Sequence, residues 1–465
     1  MPRMPMKQSL IFDADLIRRH DKAGPRYTSY PTAVQFHDGF GEADYRAQAQ
    51  ASNAAGGPLS LYFHIPFCDT VCYYCACNKV VTKDRNKAAP YLADLYREIE
   101  LQASLFTPGR SVDQLHWGGG TPTFLSLEQM RELMAVTGRY FALRHDDRGE
   151  YSIEIDPREA DARTVHVLRE LGFNRMSLGV QDFDPQVQQA VNRIQSEAET
   201  FAVLDAARAE GFHGISIDLI YGLPHQTSAR FLRTLDRVIE AAPDRLSIFN
   251  YAHLPERFKP QRRIPTEALP SAAEKLDILQ HTIEHLTGAG YVLIGMDHFA
   301  RPDDPLAVAQ REGSLHRNFQ GYSTHADCDL IGLGVSSIGQ VHDCFSQNVK
   351  DVERYHALLA EGRLPIERGL VVNEDDKRRR ALITDLICHF ELDGDAFGAA
   401  HGIDFAAYFA PELERLREYV ADGLLVLDGH RIEVQPIGRL LIRNICATFD
   451  RYLAGQNAQR FSKVI

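Results

Sequence analysis

Positive charge is in deficit. The chain has 51 Lys and Arg against 63 Asp and Glu, a net charge of −12, which argues against a broad nucleic-acid-binding surface. Long apolar runs are missing too. None approaches the roughly 20 residues of a membrane span, so no membrane partner is expected. The opening MPRMPMKQSLIFDADLIRRH has no apolar signal core, which predicts a reducing, cytoplasmic setting. No internal repeat and no low-complexity tract is present. Cysteine is scarce, with 8 in 465 residues. A C-x2-C pair exists, but no second, distant Cys or His pair stands ready to complete a zinc site. What remains is a globular composition, 44% apolar and 25% charged. A chain of this length predicts one large unit plus a smaller one, and nothing in it demands a partner subunit, so a monomer is expected.

The scarce cysteines are concentrated. Tyr62 to Lys79 reads YFHIPFCDTVCYYCACNK and holds Cys68, Cys72, Cys75 and Cys77. The first three are spaced C-x3-C-x2-C, so their thiols can converge from one loop. Soft thiolates at this density suit an iron–sulfur cluster or zinc. A disulfide framework fits poorly with a long chain lacking a secretory signal. Cys328, Cys344, Cys388 and Cys446 are scattered singly and read as small buried hydrophobes. A [4Fe–4S] cluster normally takes four protein thiolates, so three ligands in a tight loop leave one iron open to a substrate or cofactor.

This spacing resembles that of the radical S-adenosylmethionine enzymes. The longer string HIPFC-x3-C-x2-C-x-C-NK resembles the oxygen-independent coproporphyrinogen III oxidase family, and Cys77 belongs to that narrower pattern. The resemblance runs from PRYTSYPTA (Pro25 to Ala33) to GLGVSSIG and is weakest after about residue 360. It implies one [4Fe–4S] cluster on Cys68, Cys72 and Cys75. Its open iron would chelate the methionine part of S-adenosylmethionine, and an electron from the cluster would release a 5′-deoxyadenosyl radical. It further implies two S-adenosylmethionine molecules side by side. The first would touch Tyr62, Gly119, Glu154 and Ile338. The second would touch Tyr74, Gly120, Thr121, Gln181, Arg193, Asp218 and Ala252. Tyr74 stands where the family commonly has Phe, which keeps the packing and adds a hydroxyl. The implied substrate is coproporphyrinogen III, with an electron donor for the cluster and an unidentified terminal electron acceptor.

From Leu59 a rhythm begins. Apolar runs at Leu59–His64, Val112–Trp117, Tyr151–Ile155, Arg175–Val180, Gly214–Tyr221 and Arg245–Tyr251 alternate with amphipathic segments, and Tyr291–Met296 is a further candidate. Ser126 with Gln129, and Ser196 with Glu199, fit capping boxes. Gly172 and Gly211 fit left-handed helix ends. The pattern predicts an α/β fold, a partial (β/α) TIM-type barrel of about six parallel strands, with chemistry at their carboxyl ends. The expected organisation is an arm over the active site (1–57), the barrel (58–300), an irregular extension closing it (301–360), and a mainly helical, winged-helix-like C-terminal domain (361–465). Asp428-Gly429 is the expected hairpin turn of that domain. PERFKPQRRIPTEALP, from Pro255 to Pro270, reads as a basic surface loop and a possible lid.

Several residues stand at strand ends. Gly118-Gly119-Gly120-Thr121-Pro122 is neither a spaced dinucleotide fingerprint nor a Walker loop. It is either a tight turn or a place where backbone approaches a ligand. Glu154 is either an ion-pair partner inside the barrel or an acceptor for a ligand. Arg193 is suited to grip a carboxylate with two prongs. Tyr62, His64, Cys77, Glu154, Phe319 and Gln320 are the catalytic candidates by motif position. Arg26, Lys79, Arg317 and the run Arg257–Arg263 are candidates for carboxylates of the substrate. Two rival readings remain at this point. One is a haem-trafficking relative of the same fold, which typically carries an aromatic run in place of C-NK and lacks the PRYTSYP arm. The other is a zinc-stabilised regulator whose winged helix binds DNA.

Overall fold

The computed structural model describes residues 10–20, 22 and 24–453. The remaining residues of the expected arm and C-terminal domain lie outside the described ones. The chain divides into two compact units. One comprises Phe36–Ser271 and Asp327–Val371. The other takes the described parts of Met1–Gln35 and Val372–Ile465, together with Ala272–Ala326.

The first unit is built on a parallel sheet. Its strands are β1 (Leu59–Ile65), β2 (Ser111–Gly119), β3 (Glu150–Ile155), β4 (Arg175–Gln181), β5 (Gly214–Tyr221) and β6 (Arg245–Asn250). These are the six runs expected from the apolar rhythm. They lie side by side in the order β6-β5-β4-β3-β2-β1, every pair parallel. Helices Ala88–Ala103, Leu127–Tyr140, Ala162–Glu170, Glu197–Ala209 and Ser228–Ala241 alternate with them. Both expected capping boxes form, at Ser126 with Gln129 and at Ser196 with Glu199. Gly172 and Gly211 take the left-handed conformation, with φ of 93° and 76°.

Side chains alternate along these strands. In β3 and β4 the residues Ile153, Ile155, Met176, Leu178 and Val180 are buried, while Ser152, Glu154, Ser177, Gly179 and Gln181 are only partly so. Period two puts each set on one face. One face packs as core; the other lines the interior with polar groups. Register then aligns them across strands. Tyr62 sits opposite His116, His116 opposite Ser152, Glu154 opposite Ser177, and Gly179 opposite Asp218.

The stretch 300–350, expected to be irregular, departs from that reading. It holds β7 (Asp329–Leu333), which pairs parallel with β1 on the side away from β2. β8 (Ile338–Val341), β9 (Cys344–Asn348) and β10 (Ile366–Val371) continue the sheet as an antiparallel meander. β7 carries no βα alternation of its own, because the chain reaches the edge of β1 without a crossover helix directly before it. Its position is held by Glu98, a fully buried carboxylate that accepts hydrogen bonds from Gly334 N (2.7 Å), Asn348 Nδ2 (2.6 Å) and Tyr355 Oη (2.5 Å). Burial pushes that carboxyl up to about 7.

The second unit is mainly helical. Helix Glu374–His389, helices Gly394–His401 and Ala410–Ala421, and a three-stranded sheet of Glu391–Asp393, Arg431–Val434 and Leu425–Asp428 make up its C-terminal part. Gly429 turns the hairpin with a φ of 58°. Val292–Gly295, the further strand candidate, forms, and it pairs antiparallel with His298–Ala300 rather than parallel to a barrel strand. Tyr27 and Tyr30 of the PRYTSYPTA segment are buried. Tyr27 donates to Asp450 (3.1 Å), and Tyr30 accepts from Arg451 N (3.2 Å). Cys344, Cys388 and Cys446 are buried as expected, whereas Cys328 is half-buried; all are free thiols. No described helix is long and apolar enough to cross a membrane.

Candidate active site

The cysteine loop leaves β1 through Pro66 and returns through Val80–Val81, which pairs parallel with Phe67–Cys68. Two further contacts staple it to the segment after β4. Tyr73 N donates to Val191 O (2.9 Å), and Asn192 Nδ2 donates to Val71 O (2.8 Å). Cys68, Cys72, Cys75 and Cys77 all line one cleft with Lys79 and Thr121. Thr121 Oγ1 donates to Cys68 Sγ (3.6 Å), and Arg193 Nη1 to Cys72 Sγ (3.6 Å). The Cys77 thiol donates to Cys75 and, with the Lys79 ammonium, draws Cys75 down to about 5. Burial pushes Cys68 up to about 11. Among the described residues, no three His, Cys, Asp or Glu side chains form a group able to hold a single metal ion.

The three adjacent glycines close the other wall. Gly120 N donates to Ile65 O and Thr121 N to Phe67 O, each at 2.8 Å. A Cβ on Gly119 would stand 2.7 Å from His64 Cε1, and φ there is 112°. A Cβ on Gly120 would stand 2.7 Å from Phe67 O. The run is therefore a place of close backbone approach, not merely a turn. Gly119 N also donates to Glu154 (3.1 Å). Glu154 faces the cleft, 47% exposed, with His116 Nε2 at 3.5 Å. Burial alone would raise its carboxyl, but His116 and Gly119 N hold it below the ordinary carboxylate value. His116 in turn stacks on Tyr62, centroids 5.8 Å apart and planes 12° apart. His64 Nε2 lies 2.9 Å from Asn78 O and so carries the proton, while Nδ1 accepts from Tyr62 Oη (3.2 Å). Burial lowers the His64 pKa, which keeps the ring neutral.

Arg193 is buried, and both its prongs are engaged. Nη1 meets Asp156 at 2.9 Å, and Nη2 donates to Gly179 O. Its Nε is buried without a hydrogen-bond partner among the described residues. Gln181 ends β4 in the left-handed region, φ 69°, at a break in register that turns it toward the cleft. Asp218 accepts from Ser177 Oγ (2.8 Å), and burial raises its carboxyl to about 6. Tyr74 packs against a core of Val187, Val191, Leu223, Tyr251 and Ile264. Ile338 begins β8 against Gly332, which sits opposite Tyr62.

The cleft thus gathers Cys68, Cys72, Cys75, Cys77, Tyr74, Gly119, Gly120, Thr121, Glu154, Gln181, Arg193 and Asp218. Ala252 lies beside it through Gln261, which donates to both Tyr74 O (3.0 Å) and Ala252 O (3.3 Å). Gln261 and Ile264 are buried, so the Pro255–Pro270 loop is fastened at its centre and is not surface throughout. Phe319 and Gln320 lie in the other compact unit, on the hairpin of His316–Asn318 and Gly321–Ser323. Three residues escaped the sequence reading: His116, Asp156 and Arg158. Asp156 is the second carboxylate of SIEIDP, and it joins Arg158 (2.6 Å) to Arg193. Its proximity to Glu154 in the sequence was the available signal.

Comparison with known proteins places this geometry. Residues 62–238 match the family model described as the Radical SAM superfamily, and residues 372–441 match the HemN C-terminal domain. A Pseudomonas aeruginosa protein named oxygen-independent coproporphyrinogen III oxidase is 58% identical over 99% of this chain and all of that one. Its Escherichia coli counterpart of the same name is 51% identical over 98% and 99%. The chain belongs to the oxygen-independent coproporphyrinogen III oxidase family. A solved structure titled as coproporphyrinogen III oxidase (HemN) from Escherichia coli, a radical SAM enzyme, superposes with a TM-score of 0.91 at 50% identity, covering 96% of this chain and 100% of that one. Membership of this family sets aside the zinc-regulator reading and, with it, the haem-trafficking one. It also implies a [4Fe–4S] cluster and S-adenosylmethionine. The residues present fit both. Three thiols share one cleft, glycines leave a cradle that a Cβ would fill, and a buried guanidinium N–H points to a ligand acceptor.

Proposed function

We propose that the protein converts coproporphyrinogen III to protoporphyrinogen IX without oxygen, turning the propionates of rings A and B into vinyls. The observation that carries this reading is the cleft itself. Three thiols, the glycine cradle and the Glu154–His116–Tyr62 line meet at the carboxyl ends of the strands, in a chain with near-full-length relatives of that name. When bound, the cluster and S-adenosylmethionine would supply one 5′-deoxyadenosyl radical for each propionate, the species needed to remove a hydrogen atom from its β-carbon. Each propionate then loses carbon dioxide and one electron to become a vinyl, so an acceptor must take that electron.

The chain's own residues do the placing. Cys68, Cys72 and Cys75 would hold the cluster. Tyr62, Gly119, Glu154 and Ile338 would hold one S-adenosylmethionine, Glu154 as an acceptor for its polar hydrogens. Tyr74, Gly120, Thr121, Gln181, Arg193, Asp218 and Ala252 would hold a second, with Arg193 available to its carboxylate. Neutral His64 and Cys77 border the reacting carbon. Lys79 keeps the Cys75 side of the cleft cationic. The reading carries with it a cytoplasmic monomer that takes electrons from a donor for the cluster, passes those lost by the substrate to an unidentified terminal acceptor, and binds neither nucleic acid nor membrane.

The test is anaerobic reconstitution with iron and sulfide, then incubation with dithionite, S-adenosylmethionine and coproporphyrinogen III. Protoporphyrinogen IX with matching 5′-deoxyadenosine is the expected result. A cluster-bearing protein that cleaves S-adenosylmethionine and leaves the porphyrinogen intact would sink the substrate assignment.

A further inference from the structure

Coproporphyrinogen III carries four carboxylates, and the cysteine cleft is walled chiefly by groups with other work. The helical unit holds a cationic cluster outside that cleft. Arg317 lies in the His316–Asn318 strand, one turn from Gln320 on the same hairpin. Its guanidinium sits over the Tyr322 ring, 4.6 Å from the centroid. Tyr322 is anchored in turn, its hydroxyl donating to Ile387 O (3.3 Å) and its ring edge-on to His298 at 5.4 Å. The platform therefore fixes the arginine in place.

Two of its N–H groups have nowhere to go. Arg317 Nε and Nη1 are buried without a hydrogen-bond partner among the described residues, and so is Gln320 Nε2. A buried donor left unpaired costs about 1–3 kcal/mol, more when charged, so such donors mark a place where a ligand acceptor is missing. The field there is positive. Arg380 and His389 act on the neighbouring His316, which together with its burial holds that ring down at about 4. Two carboxylates also act here: Asp297, which Arg26 engages at 3.8 Å, and Asp385, which acts with Arg317 on Cys388. Donors without acceptors, in a cationic field, on a rigid aromatic base, describe a carboxylate receptor.

We propose that Arg317 and Gln320 form the receptor for one propionate carboxylate of the substrate, a role that rests on the reaction proposed above. The receptor recognises the anionic end of a propionate.

The test is anaerobic equilibrium dialysis of coproporphyrinogen III against the reconstituted full chain without S-adenosylmethionine, so that nothing turns over. Arg317→Met is expected to weaken binding about tenfold or more, Arg317→Lys less, and Gln320→Leu about threefold. Iron content stays at the wild-type level in Arg317→Met, the check on folding. If wild type binds and both Arg317→Met and Gln320→Leu bind within twofold of it, the receptor is refuted while the reaction stands. If wild type itself shows no binding, the substrate assignment fails and takes the receptor with it. Should Arg317→Met lose its iron through misfolding, Gln320→Leu decides alone: an unchanged affinity overturns the proposal.

Discussion

The two ends of the parallel sheet use the same residue types differently. At the amino ends, carboxylates are neutralised by arginines. Glu150 meets Arg175 at 3.1 Å, Asp113 meets Arg144 at 3.1 Å, and Asp329 meets Arg110 at 2.9 Å. At the carboxyl ends, Glu154 has a backbone N–H and a histidine, and Asp218 the hydroxyls of Ser177, at 2.8 Å, and Ser247, with no arginine among the described residues. Glu150 and Glu154 sit on the same face of one strand, four residues apart. One is a satisfied structural ion pair. The other is left with spare acceptor capacity facing a cleft. Even Arg193, the buried arginine at the carboxyl ends, keeps a donor atom unpaired. The amino ends are organised for stability and the carboxyl ends for ligands, as parallel βα architectures generally are.

Substitutions can break this contrast. The largest effect is expected at the cysteines. Cys68→Ser removes a thiolate ligand and should abolish both cluster iron and activity, as read by iron analysis and electron paramagnetic resonance. Cys77→Ser should keep the iron and lower turnover, because three ligands remain; loss of all iron would make Cys77 a ligand and close the open site.

Next comes Glu154→Gln. It should weaken S-adenosylmethionine binding and turnover by roughly tenfold to a hundredfold, the equivalent of about 1.4 to 2.8 kcal/mol, while melting temperature changes little. An unchanged affinity measured by calorimetry would make Glu154 a structural residue like Glu150.

Arg175→Met should do the reverse. Removing the partner of a largely buried Glu150 is expected to cost roughly 2 kcal/mol of stability, with turnover per bound cluster unaltered. Denaturant unfolding beside steady-state kinetics separates the two.

The smallest effect concerns Asp218. Its folded carboxyl, raised to about 6, binds a proton more readily than the unfolded side chain. The stability linked to that proton is fully present below about pH 4 and is lost as pH rises through 6. Asp218→Asn should therefore flatten the stability profile between pH 4 and 6 and raise stability at pH 7. Thermal melts across that range check the sign.

The sequence was legible where the signal is local. C-x3-C-x2-C places three thiols within one loop whatever surrounds it, and two-residue alternation marks β3 and β4 because each strand exposes one polar face. Legibility failed where the partner is distant. Asp329–Leu333 carries no helix directly before it, so nothing in its own neighbourhood announced a strand beside β1. Gln261 lies in a basic, proline-punctuated run, and only its contacts with Tyr74 and Ala252 reveal a fastening. His116 was passed over because a lone histidine in an apolar strand carries no pattern; its meaning is the register that sets it between Tyr62 and Glu154.

The sequence alone determined the ligand chemistry and the βα rhythm, since both depend on spacings of a few residues that backbone geometry enforces. Tertiary structure decided which polar groups face the thiols. Arg193 reaches Cys72 across 121 residues of chain, and no local rule can set a contact of that span. Sheet register and loop closure, driven by burial of the opposite face, bring those groups together.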